Sequence, residues 1–372
     1  MALSPSERDR YSRHLLLPEI GFLGQERLKA ARVLVVGAGG LGSPASLYLA
    51  GAGIGTLGIV DHDRVDLSNL QRQILFDSSQ LGASKVLAAQ TRLRALNPEI
   101  NIIGHDFELR AGNASQILRH YECVLDGSDR LTTRYLVNDA CVLLKLPLIS
   151  AAIHGFEGQI MTYLPGKGPC YRCLFPDSAA DAVPNCSEAG VLGVLPGVLG
   201  ALQATEAIKL ILGVGAPLVG RLLTYDALAM KWREFSFARR EDCPACGANP
   251  TMPALRQIDT VERLKPQQLH AMLEQTAAQG AACTVVDVRE PREFAAGHIA
   301  GSLNIPVRDL PRRMAEIPVD LPVVFMCRSG GRSRAACEIA ARAGYHKIID
   351  LDGGLLAWAA AVDPATTVAP FE

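Results

Sequence analysis

The sequence has little of what marks several protein classes. Aromatic residues make up only 5% of its 372 positions, and 37 basic against 38 acidic side chains leave a formal charge of −1. That near-neutrality removes the electrostatic reason to expect nucleic acid or an anionic membrane surface as the main partner. No uninterrupted apolar run approaches the roughly 18–20 residues of a membrane-crossing helix, and the polar residues 1–10 lack a signal-peptide core. A cytoplasmic protein with no membrane partner is the expectation. Ten cysteines are too sparse here for a secreted disulfide framework, and four of them fall into two CxxC pairs, which points to metal binding or sulfur chemistry.

What is present reads as α/β. Helical stretches over residues 6–17 and 24–30 precede a β-branched strand, Arg32–Val36, which runs into Gly37-Ala38-Gly39-Gly40-Leu41-Gly42 and a small-residue helix through Ala52. Strands at 56–60, 100–105, 123–125 and 147–150 then alternate with helices at 85–96, 114–120 and 134–145, the rhythm of a parallel sheet. After Ala151 the pattern changes to strand and loop, with an apolar helix over 200–212 and strands near 222–226 and 231–237. Asn249-Pro250 and Met252-Pro253 mark a linker. Beyond it a smaller α/β unit has helices at 265–279 and 333–342 and strands at 284–287, 322–326 and 347–351. The expected organisation is a domain over 1–247, a linker over 248–257 and a second domain over 258–372.

Gly37-x-Gly39-x-x-Gly42, between strand and helix, lets backbone approach a phosphate and aims unpaired N–H groups at it. Asp61 closes the next strand 19 positions past Gly42, where a carboxylate accepts bonds from ribose hydroxyls. To this point a nicotinamide-dependent oxidoreductase fits as well as an ATP enzyme. The stretch from Asp61 to Gln73 separates them: Ser68, Asn69, Arg72 and Gln73 supply polar groups, Lys85 opens the next helix, and the set suits a triphosphate. Asp129 follows the strand at 123–125, where a magnesium ligand would sit.

Cys170-Tyr171-Arg172-Cys173 and Cys243-Pro244-Ala245-Cys246 supply four thiolates for a closed, structural zinc site, although 69 residues separate the pairs. Cys123, Cys141, Cys283 and Cys337 lie on apolar strand or helix faces and are expected to be packing residues. In the second domain a strand runs into Cys327-Arg328-Ser329-Gly330-Gly331-Arg332-Ser333 and then a helix. Converging backbone N–H groups and the helix dipole favour an anion on Cys327. Four residues separate Cys327 from Arg332, a tighter loop than protein phosphatases use, and it suits a persulfide better than a phosphate.

The pieces RYSRHLLLPEIG, VLVVGAGGLGSPASLYLA, GIVDHDRVDLSNLQRQILF, GASKV and LDGSD occur in one order. Through them the stretch from Arg13 to Cys246 resembles the MoeB/ThiF family of sulfur-carrier-protein adenylyltransferases, relatives of the ubiquitin-activating enzymes. The resemblance implies a Rossmann-like adenylation fold, ATP binding by Gly39, Gly40, Asp61, Arg72 and Lys85, and magnesium at Asp129. It implies attack of a carrier protein's C-terminal carboxylate on the α-phosphate, giving an acyl-adenylate and pyrophosphate. It makes Arg13 an arginine finger offered to a neighbouring subunit, hence a homodimer, and Cys186 a transient covalent link to the activated carrier. Arg130 departs from the family, whose members usually carry Asn there.

VVDVRE, GHIAGSLNIP, the CRSGGRS loop and Asp352-Gly353-Gly354 resemble a rhodanese domain. That resemblance makes Cys327 the persulfide carrier and gives Asp287 and His298 structural roles. The whole resembles MoeZ-like fusions of the two domains. It implies a small β-grasp carrier ending in Gly-Gly and a sulfur donor that is a cysteine desulfurase or thiosulfate. A non-catalytic sulfur-relay scaffold is the other class, and molybdopterin, thiamine, tRNA thiolation, cysteine and secondary-metabolite pathways all stay open.

Overall fold

The computed structural model describes residues 2–176, 190–251, 262–279, 283–345 and 347–368. The chain divides into two compact units, Met1–Arg256 and Gln257–Glu372. In the first, strands β1 (Arg32–Val36), β2 (Thr56–Asp61), β3 (Asn101–Asp106), β4 (Cys123–Asp126), β5 (Leu148–His154), β6 (Glu157–Tyr163), β7 (Arg221–Asp226) and β8 (Lys231–Ser236) form one sheet. Their order is β3-β2-β1-β4-β5-β6-β7-β8. The first five are parallel, as the strand–helix rhythm requires, and the last three turn antiparallel.

Side chains alternate across the pleat. Val33 and Val35 of β1 face a core with Leu49, Leu93 and Leu199, whereas Leu34 and Val36 face another with Leu118 and Val137. Cys123 and Cys141 are buried, as expected of packing residues.

Two helices differ from the expectation. Residues 6–17 do not form one helix; it breaks at Tyr11 between Pro5–Arg10 and Ser12–Leu15. Tyr11 is buried, its hydroxyl accepts from Asn97 Nδ2 at 2.8 Å, and its ring lies where a Cβ on Gly53 would stand. The apolar helix begins at Val194 rather than Gly200. Pro196 falls in its first turn, where no amide donor is lost, and Gly200 is there for contact: its Cβ would lie 2.5 Å from the carbonyl O of Leu41, the N-cap of the helix Gly42–Ala52. At 19 residues Val194–Leu212 is long and apolar enough to cross a membrane, but Leu195, Leu199, Gln203 and Ala207 are buried against the sheet and that neighbouring helix.

In the second unit β9 (Glu262–Leu264), β10 (Thr284–Asp287), β11 (Leu303–Asn304), β12 (Val323–Met326) and β13 (Ile348–Leu351) form a parallel sheet in the order β11-β10-β12-β13-β9. Cys283 and Cys337 are buried. β9, β11 and the helix Pro291–Ala296 are too short for a periodicity to reveal them. Of the expected linker, residues 252–257 lie outside the described ones. Its first residues bond back onto the second CxxC turn, Ala248 N to Glu241 O and Thr251 N to Pro244 O, both at 3.0 Å.

Asn97 donates both to Tyr11 and, at 2.7 Å, to Ala50 O, and is fully buried. Asn97→Ala orphans these acceptors and is expected to cost the first unit about 2–3 kcal/mol. Urea unfolding followed by Trp232 fluorescence in a Trp358→Phe background measures it; a loss under about 1 kcal/mol would mean that water replaces the amide.

Candidate functional site

The glycine loop after β1 is closed by backbone contact. Gly37 has φ +87°, a Cβ on Gly42 would lie 1.8 Å from Gly37 O, and one on Gly37 would touch Gly127 O at 3.0 Å. Asp61, at the end of β2, is buried and accepts from Ala38 N and Asp63 N, both at 2.8 Å, so it ties its own loop to the glycine loop. Arg72 and Gln73 flank Gly40 and Gly39. Arg72 Nη1 donates to Ser68 O at 2.9 Å, and Asn69 O accepts from the amides of Arg72 and Gln73. Gln73 is buried, and its Oε1 has no hydrogen-bond partner among the described residues.

Lys85 is also buried, with Nζ 3.0 Å from Asp63 Oδ2. Burial alone would raise the Asp63 carboxyl, but Lys85, with His62 and Arg130 behind it, holds it below its ordinary value. Asp129 is exposed in the loop after β4. That loop is pinned from beneath: Asp126 Oδ1 accepts from Ser128 N and Oγ, and buried Arg134 donates to Ser128 O at 2.7 Å and Ala151 O at 2.8 Å. The polar groups expected of a triphosphate site therefore share the carboxyl edge of β1, β2 and β4. Arg13 is not among them: it is exposed on Ser12–Leu15 and forms no hydrogen bond or ion pair among the described residues. Cys186 lies outside the described residues.

The two CxxC hooks meet. Sγ atoms of Cys170, Cys173, Cys243 and Cys246 all lie within 4.8 Å of one another, with Cys170–Cys243 at 3.7 Å and Cys173–Cys246 at 3.4 Å. Ligands 2.3 Å from a tetrahedral zinc stand about 3.8 Å apart, so the donor set and its spacing are compatible with that ion. Hydrogen bonds among the four thiols divide the set: the Cys173 thiol is pulled down to about 6 and Cys243 is lowered, each chiefly by Cys170, whereas Cys170 is raised, chiefly by Cys173, and Cys246 is raised as well.

In the second unit Cys327 follows β12 and is 2% exposed. Its Sγ accepts from Gly330 N at 3.1 Å, and Gly330 takes φ +103° to turn that amide inward before the helix Gly331–Arg342. The loop is braced on two further sides. Leu355 N donates to Cys327 O at 2.8 Å and Leu356 N to Arg328 O at 3.0 Å. Arg332 makes a bidentate ion pair with Glu293 at 2.6 and 2.8 Å, and the guanidinium holds the Glu293 carboxyl below its ordinary value. Ser329 and Gly331 are exposed at the loop's mouth. Asp287 is fully buried in an ion pair with Arg289, and His298 stacks on Phe294 at 3.9 Å. Asp63, Arg134 and Glu293 escaped the sequence reading; each is a charged residue in polar company, and only the fold reveals its partner.

Gly354 has φ +59°, and a Cβ there would stand 2.4 Å from Cys327 O. Gly354→Ala is expected to destabilise the second unit by about 2 kcal/mol or more and to speed alkylation of Cys327 by iodoacetamide as the loop loosens. Trp358 fluorescence in a Trp232→Phe background and mass-resolved labelling check the two effects; unchanged stability would show that the turn yields without strain.

A profile of the ThiF family matches residues 11–245, and one of the Rhodanese-like domain matches residues 265–361. The Aedes aegypti protein named Adenylyltransferase and sulfurtransferase MOCS3 is 40% identical over 97% of this chain and 89% of its own length. Probable adenylyltransferase/sulfurtransferase MoeZ of Mycobacterium tuberculosis is 40% identical over 98% of this chain and 95% of that protein. A Sulfur carrier protein adenylyltransferase of Thermus thermophilus is 51% identical over 68% of this chain and 96% of its own. Among solved structures, that of E. coli MccB with ATP aligns with a TM-score of 0.58 at 26% identity, covering 66% of this chain and 75% of MccB. A glycine loop at the head of a parallel sheet, four converging thiols and a braced cysteine loop thus stand where the two family profiles match, and the chain belongs to the ThiF family, with a rhodanese-like domain following.

Proposed function

We propose that this protein adenylates the C-terminal glycine of a small β-grasp sulfur-carrier protein and then passes it sulfur from a persulfide on Cys327. What supports the reading is one chain holding both a ThiF-family glycine loop with its basic set and a rhodanese cysteine loop. A carboxylate is a poor acyl donor. Its oxygen attacks the α-phosphorus of ATP, pyrophosphate leaves, and the carboxyl carbon now carries AMP as a good leaving group.

Gly39 and Gly40 offer backbone N–H groups to the phosphates, Asp61 takes the ribose hydroxyls, and Arg72 and Lys85 offset charge on the phosphates as the bond breaks. Ser68, Asn69 and Gln73 complete the polar lining; the unpartnered Oε1 of Gln73 suits a donor on the nucleotide or its water. Asp129 would hold magnesium, which supplies further charge compensation. Arg13 serves the site of a partner subunit in a homodimer. Cys170, Cys173, Cys243 and Cys246 would hold zinc with every position filled, so that its role is structural.

The terminal sulfur of the Cys327 persulfide attacks the activated carbonyl and AMP leaves, forming an acyl disulfide. A thiol, that of Cys186 or an external reductant, attacks Cys327 Sγ, releases the carrier thiocarboxylate and takes Cys327 into a disulfide. Reduction of that disulfide and reloading by a cysteine desulfurase or thiosulfate complete the cycle. Arg328 and Arg332, with the Ser329, Gly330 and Gly331 backbone, surround the persulfide. The reading places the reaction in the cytoplasm.

Intact-mass analysis of Gly-Gly carriers incubated with protein, ATP, magnesium, thiosulfate and reductant is expected to show a thiocarboxylate that requires both ATP and Cys327. Cys327→Ala is expected to keep carrier-dependent ATP–pyrophosphate exchange, and Lys85→Ala to lower that exchange about 100-fold. Absence of exchange with every carrier would favour the sulfur-relay scaffold.

Elemental analysis of the purified protein is expected to give one zinc per chain, lost in Cys243→Ala together with a lower thermal midpoint of the first unit. A metal-free wild type of the same midpoint would remove zinc from the account.

A further inference from the structure

A buried carboxylate lies under the helix that opens at the Cys327 loop. Asp350 of β13 pairs with Phe325 of β12, and paired residues share a face of the sheet. Phe325 and Cys327 pack in one core cluster with Ala336 and Ala340 of the helix Gly331–Arg342, whereas Ile349 and Leu351, on either side of Asp350, pack in the other. Asp350 and Cys327 therefore face the same way, toward that helix. With strands about 4.8 Å apart and a rise of about 3.3 Å per residue, their Cα atoms stand about 8 Å from each other.

Asp350 is 1% exposed, and the helix holds its carboxylate. Ser333 Oγ, buried in the first turn, donates to Oδ1 at 2.6 Å, and Arg334 Nε stands 3.4 Å from Oδ2. Arg263 of β9 pairs with Asp350 from the other side. Burial pushes the Asp350 carboxyl up, while Ser333, Arg334 and Arg263 favour its charged form. Of the charges around Cys327, Arg332 is matched by Glu293 and Arg289 by Asp287. Arg328 is half-buried on the loop, and Asp352 is exposed past β13. Gly330 N, the helix terminus and Arg328 thus favour an anion on Cys327, and the buried charge of Asp350 opposes it.

We propose that Asp350 is a positioning residue that acts through Cys327: anchored by Ser333, its negative charge opposes the sulfur anion and keeps that sulfur a strong nucleophile; this deepens the sulfur-transfer reading and rests on it. Converging amides and a helix terminus alone make a cysteine acidic but a weak attacker, because nucleophilicity falls as the thiol becomes more acidic. A sulfur that must attack a carbonyl carbon needs the reverse. A like charge about 8 Å away and out of the solvent raises the basicity of the sulfur without touching the substrate.

The pH profile of Cys327 alkylation by iodoacetamide in the full chain, read by peptide mass, tests this. Asp350→Asn keeps the shape and removes the charge; it is expected to lower the midpoint of the profile by about one pH unit and the plateau rate about threefold. Ser333→Ala, which takes from the carboxylate its nearest donor, is expected to move both quantities the same way by less, and it carries the test if Asp350→Asn does not fold. A midpoint within about 0.3 pH unit of wild type in both variants overturns the proposal. So does a faster plateau with the midpoint unmoved, the mark of a loop that has merely loosened. Sulfur uptake by Cys327 from thiosulfate, also read by mass, separates the two readings. A wild type that takes up sulfur but is indifferent to Asp350 sinks the proposal alone; one that takes up none sinks the sulfur-transfer reading with it.

Discussion

The crevice at the glycine loop depends on a steric condition: segments of main chain meet with no side chain between them. Gly42 stands against Gly37 O, Gly127 lies 3.0 Å by its would-be Cβ from Gly42 N, and Gly37 takes a left-handed turn. That contact aims the first amides of the helix Gly42–Ala52 into the space beyond β1. It also draws the loop after β4 against the loop after β1 and lets Ala38 N reach Asp61. The same condition recurs one layer out, where Gly200 lets the helix Val194–Leu212 seat against Leu41 O and Pro44. Glycine here serves close approach as much as conformational freedom.

The two units use one topological device for different chemistry. In the first, the chain leaves β1 for β2 on one side and later places β4 on the other. In the second, β10 has β11 on one side and β12 on the other. Loops that follow strands at such a reversal diverge and leave a crevice at the carboxyl edge. The glycine loop and the Cys327 loop both open there. One presents amides to a ligand and the other presents an amide to its own sulfur, Gly330 N to Cys327 Sγ.

The parallel half of the first sheet was legible because short strands alternate with helices, and β1, β2 and β4 are short apolar runs. The glycine loop, the CxxC hooks and the CRSGGRS loop were legible because each packs its chemistry into a few adjacent residues. What escaped was set by contacts distant in sequence. Tyr11 breaks the first helix because Asn97 holds its hydroxyl, 86 positions away. Leu195 and Pro196 join the core helix because the fold buries them, Pro196 beside Gly40, while Val194 at the helix start stays exposed. Glu293 matters only because the helix Pro291–Ala296 sets it beside Arg332, 39 positions later.

The meeting of the CxxC hooks also has a topological consequence. A metal held by both closes a ring of chain that contains Val194–Leu212, β7 and β8, and in the chain-entropy account a ring of that size removes about 4 kcal/mol of unfolded-state freedom. The ring forms only when β7 and β8 are in place, because nothing local brings Cys173 near Cys246. Uptake of a metal at these hooks would therefore follow assembly of the antiparallel half of the sheet. A chain stalled earlier carries two loose hooks, each free to oxidise within itself, whereas in the finished fold Cys170 and Cys243 are out of an oxidant's reach, 0% and 1% exposed.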